Sequence, residues 1–317
     1  MSLKVDNLSK RFKDTWALRD IAFEAMPGEV FGVFGPSGSG KTTLLDAVAG
    51  EFPTNGGAVF VNGREITKPN GKDRDVTRVA VEGETFWSRL FGIDHAPRHR
   101  ALDAALESAT SVLLLDEPVA DSDQHQRADF IGKVRSAAQQ RNLVVLIASS
   151  DYEFMLEACD RVAVLTRGEV RQVGRPQDVY ERPNSRVVAD VTGRNNLFAA
   201  RRLTSSKADV PEFHTIDGGH RLFAQKIERA ALGSLNQNVT LGIRPEHISI
   251  SFGASFPADN LLKATVTGIR FLGPTTLIEL DADGLRLQSL VLRVVGLNVG
   301  DECMVGLPPD RILIFRV

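Results

Sequence analysis

Apolar positions along the chain fall into two textures. Over the first two thirds, short solid apolar runs alternate with longer mixed segments. The runs at 29–34, 112–115 and 143–148 show no polar alternation. That is the signature of strands buried on both faces of a parallel sheet. Between them, 42–49 and 123–140 read as helices, the first closed by Gly50. Residues 58–61 followed by Asn62 and Gly63 predict a hairpin, and 161–165 with 169–173 around Arg167 and Gly168 predict another. Strand and helix in alternation predict an α/β domain with a mainly parallel sheet.

From about Arg194 the helical texture stops. Segments at 196–201, 239–243, 263–270, 276–280, 285–292 and 304–307 are short and punctuated by Gly, Asp and Pro. Such spacing predicts a small all-β barrel or sandwich. Two domains are therefore expected, 1–193 and 194–317, with ERPNSR at 181–186 in the linker region.

Composition narrows the partners. The chain has 317 residues, 43% hydrophobic and 25% charged, with a net charge of −2. A near-neutral balance argues against nucleic acid as a partner. Cys159 and Cys303 lie far apart in no metal or redox spacing, so free thiols in a reducing compartment are expected. The opening MSLKVDNLSKRF has no apolar core of a secretory leader, and no apolar run is long enough to cross a bilayer. Any work at a membrane is expected from the side, through a partner.

The chemistry concentrates at two strings. Gly35, Pro36, Ser37, Gly38, Ser39, Gly40, Lys41 and Thr42 fill the pattern G-x-x-x-x-G-K-[ST] between an apolar strand and a helix. Glycines at these places let backbone N–H groups turn inward around phosphate oxygens, and the helix that follows points its positive end at them. Lys41 is expected on the β- and γ-phosphates, and the Thr42 hydroxyl on Mg²⁺. The second string, VLLLDEP at 112–118, places acids at the end of a buried strand. Asp116 is expected to hold Mg²⁺ through water, and Glu117 to polarise the attacking water, because phosphoryl transfer needs positioning more than covalent chemistry.

With these strings the chain resembles the ATP-binding cassette (ABC) ATPases, and most of all the importer subunits with a C-terminal TOBE domain. Residues 9–45 resemble the family's opening segment, 160–185 its close of the ATPase domain, and LGIRPEHISI at 241–250 the TOBE fingerprint. The resemblance implies an α/β P-loop NTPase core followed by a small all-β, OB-like TOBE domain. It implies ATP and Mg²⁺ as ligands. It implies nucleotide contacts from Phe12 (an aromatic on adenine, with Trp16 as rival) and from the loop through Thr43.

Four departures stand against the family pattern. No Gln occurs between Thr42 and Asp123, and alignment puts Val81 or Glu82 where the family has one. The span from Lys41 to Asp116 is roughly forty residues shorter than the resemblance leads one to expect, which removes most of the helical subdomain. GIDHA at 92–96 stands where the family has LSGGQ, although 99–106 still reads as the helix behind it. Ser150 stands where the family has a histidine, while Asp123 is kept. A serine can hydrogen-bond a phosphate but carries no positive charge.

The expectation is an ATP-binding importer subunit with degenerate catalysis. Its partners would be membrane permease subunits and a second ATPase, and its place the cytoplasmic face of the membrane. A rival reading is a non-transporting ATP-dependent regulator, favoured by the shortened span. A chain that has lost its function is a third.

Overall fold

The computed structural model describes residues 1–68, 75–80, 96–120, 122–203, 210–225, 234–252, 260–293 and 296–316. They form two compact units, Met1–Pro183 and Asn184–Val317.

The first unit holds two sheets. One is antiparallel, ordered β2-β1-β4-β5, from β1 (Leu3–Phe12), β2 (Thr15–Ala25), β4 (Gly56–Val61) and β5 (Arg64–Glu65). Asn62 and Gly63 both take positive φ, 54° and 77°, in the turn between β4 and β5, as a two-residue hairpin requires. The other sheet has six strands, β10-β9-β3-β8-β7-β6. These are β3 (Val30–Phe34), β6 (Val76–Ala80), β7 (Val112–Asp116), β8 (Val144–Ser149), β9 (Arg161–Thr166) and β10 (Glu169–Gly174). All pairings are parallel except that of β10 with β9. Every residue of β3 and β8 is buried, which accounts for their solid apolar sequence.

Helices connect and cover this sheet: α1 (Lys41–Ala49), α2 (Ala96–Ser108), α3 (Gln124–Arg141), α4 (Tyr152–Ala158) and α5 (Pro176–Glu181). Gly50 ends α1 with φ 76°. Asp123 and Gln126 form a reciprocal capping box at the start of α3, satisfying N–H groups the helix cannot. Helix α4 packs so close to β3 that a Cβ on Gly32 would lie 2.4 Å from the Met155 methyl and 2.8 Å from Cys159 Sγ.

The second unit opens with α6 (Arg186–Val191) and continues as two five-stranded antiparallel sheets. The first, β13-β12-β11-β14-β20, joins β11 (Asn196–Leu203), β12 (Glu212–Thr215), β13 (Arg221–Phe223), β14 (Asn238–Ile243) and β20 (Leu313–Arg316). The second, β15-β19-β16-β17-β18, joins β15 (Ser249–Ser251), β16 (Asn260–Phe271), β17 (Thr276–Ala282), β18 (Leu285–Val291) and β19 (Glu302–Leu307). One apolar cluster takes side chains from both sheets, among them Phe213, Leu241, Leu280 and Val305.

The units divide at Pro183, ten residues before the expected 193/194 division. Arg244 gives the physical reason. Its guanidinium donates to Ala189 O at 3.5 Å, Thr192 Oγ1 at 2.9 Å and Arg194 O at 3.2 Å. It thereby fixes α6 and the residues after it onto the β unit. Both cysteines are free and buried. Among the described residues, no helix is long and apolar enough to cross a membrane.

Candidate nucleotide-binding site

Parallel register brings the C-terminal ends of three strands together. Phe34 on β3 pairs with Ser149 on β8, and Asp116 on β7 pairs with Ala148. The phosphate loop leaves the sheet at this edge and turns into α1.

Close packing fixes the loop's shape. A Cβ on Gly35 would fall 2.0 Å from Leu165 O, and one on Gly40, whose φ is 107°, 2.7 Å from Ala17 O. Neither position admits another residue without moving backbone. Ser39 O accepts from Gly168 N at 2.9 Å, so the loop rests on the β9–β10 turn. Gly40 is the N-cap of α1 and offers no side-chain acceptor. The first N–H groups of that helix therefore look to solvent or ligand, which makes an anion site. Pro36, Ser37, Gly38 and Thr42 are exposed there, and Thr43 is half-buried.

Lys41 is buried, with its ammonium donating to Gly35 O at 2.8 Å and Pro36 O at 3.2 Å and lying 3.5 Å from Glu117 Oε1. Glu117 has a left-handed backbone, φ 44°. Its Oε2 accepts from Ser149 Oγ at 2.9 Å and from the Ser150 N–H at 3.1 Å. Ser150, expected from the sequence at the family's histidine position, thus meets Glu117 through its backbone.

Asp116 is bonded to the Thr42 side chain. Burial pushes its carboxyl above the usual Asp range, against the pull of Thr42, Arg78 and Lys41. Its Oδ1 is buried and, among the described residues, accepts no hydrogen bond. A hydroxyl beside an under-bonded carboxylate is a hard-oxygen donor pair, and it fits Mg²⁺.

One residue here escaped the sequence reading. Arg78 on β6 forms an ion pair with Asp46 on α1 and lies 3.9 Å from Asp116 Oδ2. Burial raises the Asp46 carboxyl too, with Arg78 opposing. The available signal was a charge inside each of two apolar stretches, TRVA and LLDAV.

Phe12 and Trp16 both sit at the tip of the β1–β2 hairpin, 48% and 40% exposed, so position does not choose between them. Phe12 meets Phe52 edge-on with ring centres 5.6 Å apart. Asp123 serves as the α3 cap. Val81, Glu82 and residues 92–95 lie outside the described residues, and Ala96 opens α2.

The loop, the acid pair and the parallel sheet define a P-loop NTPase core. A family model described as ABC transporter matches residues 18–90, and one described as TOBE domain matches 241–315. Residues 18–90 are therefore similar to an ABC transporter ATP-binding domain, and residues 241–315 to a TOBE domain.

Its relatives extend over nearly its whole length. It is 26% identical to the Fe(3+) ions import ATP-binding protein of Photorhabdus laumondii, over 97% of this chain and 95% of the relative. It is 26% identical to the molybdate/tungstate import ATP-binding protein of Pyrococcus abyssi, over 99% and 100%. To the maltose/maltodextrin import ATP-binding protein of Mannheimia succiniciproducens it is 25% identical, over 99% and 95%. Among solved structures, an ATP-binding cassette of an ABC transporter in its ADP conformation aligns with TM-score 0.51 and 18% identity, covering 60% of this chain and 98% of that one.

Proposed function

We propose that the chain binds Mg·ATP and serves as the ATP-binding subunit of an ABC-type importer, working with permease subunits and a second ATPase at the cytoplasmic face of a membrane. The observation that carries the proposal is the buried Lys41 ammonium beside Asp116 and Glu117, at the mouth of a loop whose Gly35 and Gly40 admit no side chain.

In this reading, backbone N–H groups of 35–43 hold the phosphates, and Lys41 exchanges its carbonyl partners for β- and γ-phosphate oxygens. Phe12 covers the adenine. Thr42 and Asp116 hold Mg²⁺, which supplies charge neutralisation on the phosphate oxygens. Glu117, oriented by Ser149 and Ser150, accepts a hydrogen bond from the attacking water. Hydrolysis is slow, because the chain lacks the amide, the signature amides and the histidine that would complete the site.

The alternative is an ATP-dependent regulator that moves no solute. The shortened span between α1 and β7 favours it, since that span carries the family's permease-docking subdomain. Calorimetry tests the shared core of both readings. Wild type should bind Mg·ATP, and Lys41→Ala should bind at least about tenfold more weakly, a loss of about 1.4 kcal/mol. Equal affinities would reject nucleotide binding at this loop. Co-purification of a permease and a second ATPase from native cells separates the importer from the regulator.

A further inference from the structure

We propose that Arg78 is a built-in counter-cation for Asp116 that makes nucleotide binding less dependent on Mg²⁺. The inference rests on the nucleotide-binding reading and concerns how this chain holds the charge of that site.

The geometry is specific. Strand β6 runs beside β7, with Arg78 opposite Leu114 and Ala80 opposite Asp116. The Arg78 side chain is 20% exposed. Its Nη1 pairs with Asp46 Oδ1 on the first helix after the phosphate loop, and its Nη2 lies 3.9 Å from Asp116 Oδ2. One guanidinium therefore stands between two carboxylates, 23% and 13% exposed, that flank the α1 end of the site.

Charge accounting explains what such a placement does. A triphosphate brought to Lys41 and Thr42 meets the Asp116 carboxylate, and the two repel. Arg78 already compensates part of that negative charge from the protein side. At about 4 Å in a partly dry site, a unit charge shifts a binding equilibrium by roughly tenfold or more. Arg78 thus favours metal-free nucleotide and competes for Asp116 with a divalent cation. It touches neither phosphate nor water in this role and is a positioning residue. Asp46 is the other half of the device, because it holds part of the guanidinium's charge away from Asp116.

The test is ATP affinity measured by calorimetry in excess Mg²⁺ and in EDTA. In Arg78→Met the ratio of the EDTA to the Mg²⁺ dissociation constant should rise about tenfold or more over wild type. Arg78→Lys, which keeps the charge, should stay near wild type. Asp46→Asn, which leaves Asp116 as Arg78's remaining carboxylate in this cluster, should lower the ratio severalfold. Electron paramagnetic resonance of Mn²⁺ added to the ATP-loaded protein should show tighter Mn²⁺ binding in Arg78→Met. A ratio within about threefold of wild type in Arg78→Met overturns the proposal. If that variant lacks a cooperative melting transition, an unmoved ratio in Asp46→Asn overturns it instead. Wild type that binds ATP under neither condition overturns the nucleotide reading as well, whereas binding with a ratio indifferent to both variants overturns this inference alone.

Discussion

Arg244 in the β unit and Arg78 beside the phosphate loop are both guanidiniums carried largely out of water, and their surroundings differ in kind. Arg244 is 2% exposed and donates to the carbonyls of Ala189 and Arg194 and to the Thr192 hydroxyl. These are neutral acceptors at the end of a helix, where backbone carbonyls carry partial negative charge. Arg78 faces Asp46 and Asp116, and Asp116 Oδ1 remains without a hydrogen bond among the described residues. The first arrangement binds the chain to itself through both Nη atoms, although Nε is buried without a hydrogen bond among the described residues. The second is an electrostatic balance that any arriving ion or phosphate disturbs. RPEH and GPSGSGKT are equally sharp strings in the sequence; Arg244 meets neutral acceptors, whereas Lys41 donates to Gly35 O and Pro36 O and also lies 3.5 Å from the Glu117 carboxylate.

The largest expected effect concerns turnover at the loop. Purified chain should release phosphate at least about 10²-fold more slowly than a rate of about 1 s⁻¹, because each missing preorganised contact to developing charge costs about 2.7–4 kcal/mol. Several such losses need not add, since the groups act together. Steady-state phosphate release, with Glu117→Gln as the control for contamination, measures this. Turnover near 1 s⁻¹ that the control abolishes would mean that Ser150 and the residues at 81–96 serve in place of the family's groups.

Arg244 supplies the next largest effect, on stability and not on binding. Arg244→Met removes the donor to three acceptors at the end of α6, which should cost about 2–4 kcal/mol. The loss should appear in the melting of the β unit, with ATP affinity unchanged. Lys41→Ala should do the converse. If Arg244→Met weakens ATP binding as strongly as Lys41→Ala, the contrast between the two regions fails.

Much of this contrast was legible beforehand. Strands buried on both faces must be apolar throughout, so β3, β7 and β8 announced themselves. Positive-φ turns demand Asn or Gly, so the β4–β5 hairpin did too. Strands β1 and β2 were not read, because repeated register shifts along their pairing break the strict alternation a strand pattern needs. Helix α6 hid in a segment whose Pro, Asn and Ser look like linker; Ser185 is in fact its cap, accepting from Val188 N. The Arg78–Asp46 pair was invisible for a different reason. Each charge stands out in its own apolar stretch, but only the fold brings β6 against α1 and makes the two a pair.

Asp116 gives the smallest and most diagnostic prediction. Its carboxyl is held above the ordinary value of 3.8, burial being the main cause. The native chain therefore holds that proton more tightly than the unfolded chain does. Stability contributed by this group is full below the unfolded value and falls as pH rises through the raised one. At neutral pH the ionised Asp116 thus opposes folding, and Asp116→Asn should stabilise the ligand-free chain, by less than Arg244→Met destabilises it. Arg78 limits the gain, since the variant also takes a counter-charge from it. Melting temperatures of wild type and Asp116→Asn should converge below the ordinary Asp value and separate as pH rises. The same variant should lose the advantage that Mg²⁺ gives to ATP binding. A variant less stable than wild type at neutral pH would mean that Arg78 compensates Asp116 fully, and that the acid is held by the fold in the manner of Arg244 and not kept in readiness for a ligand.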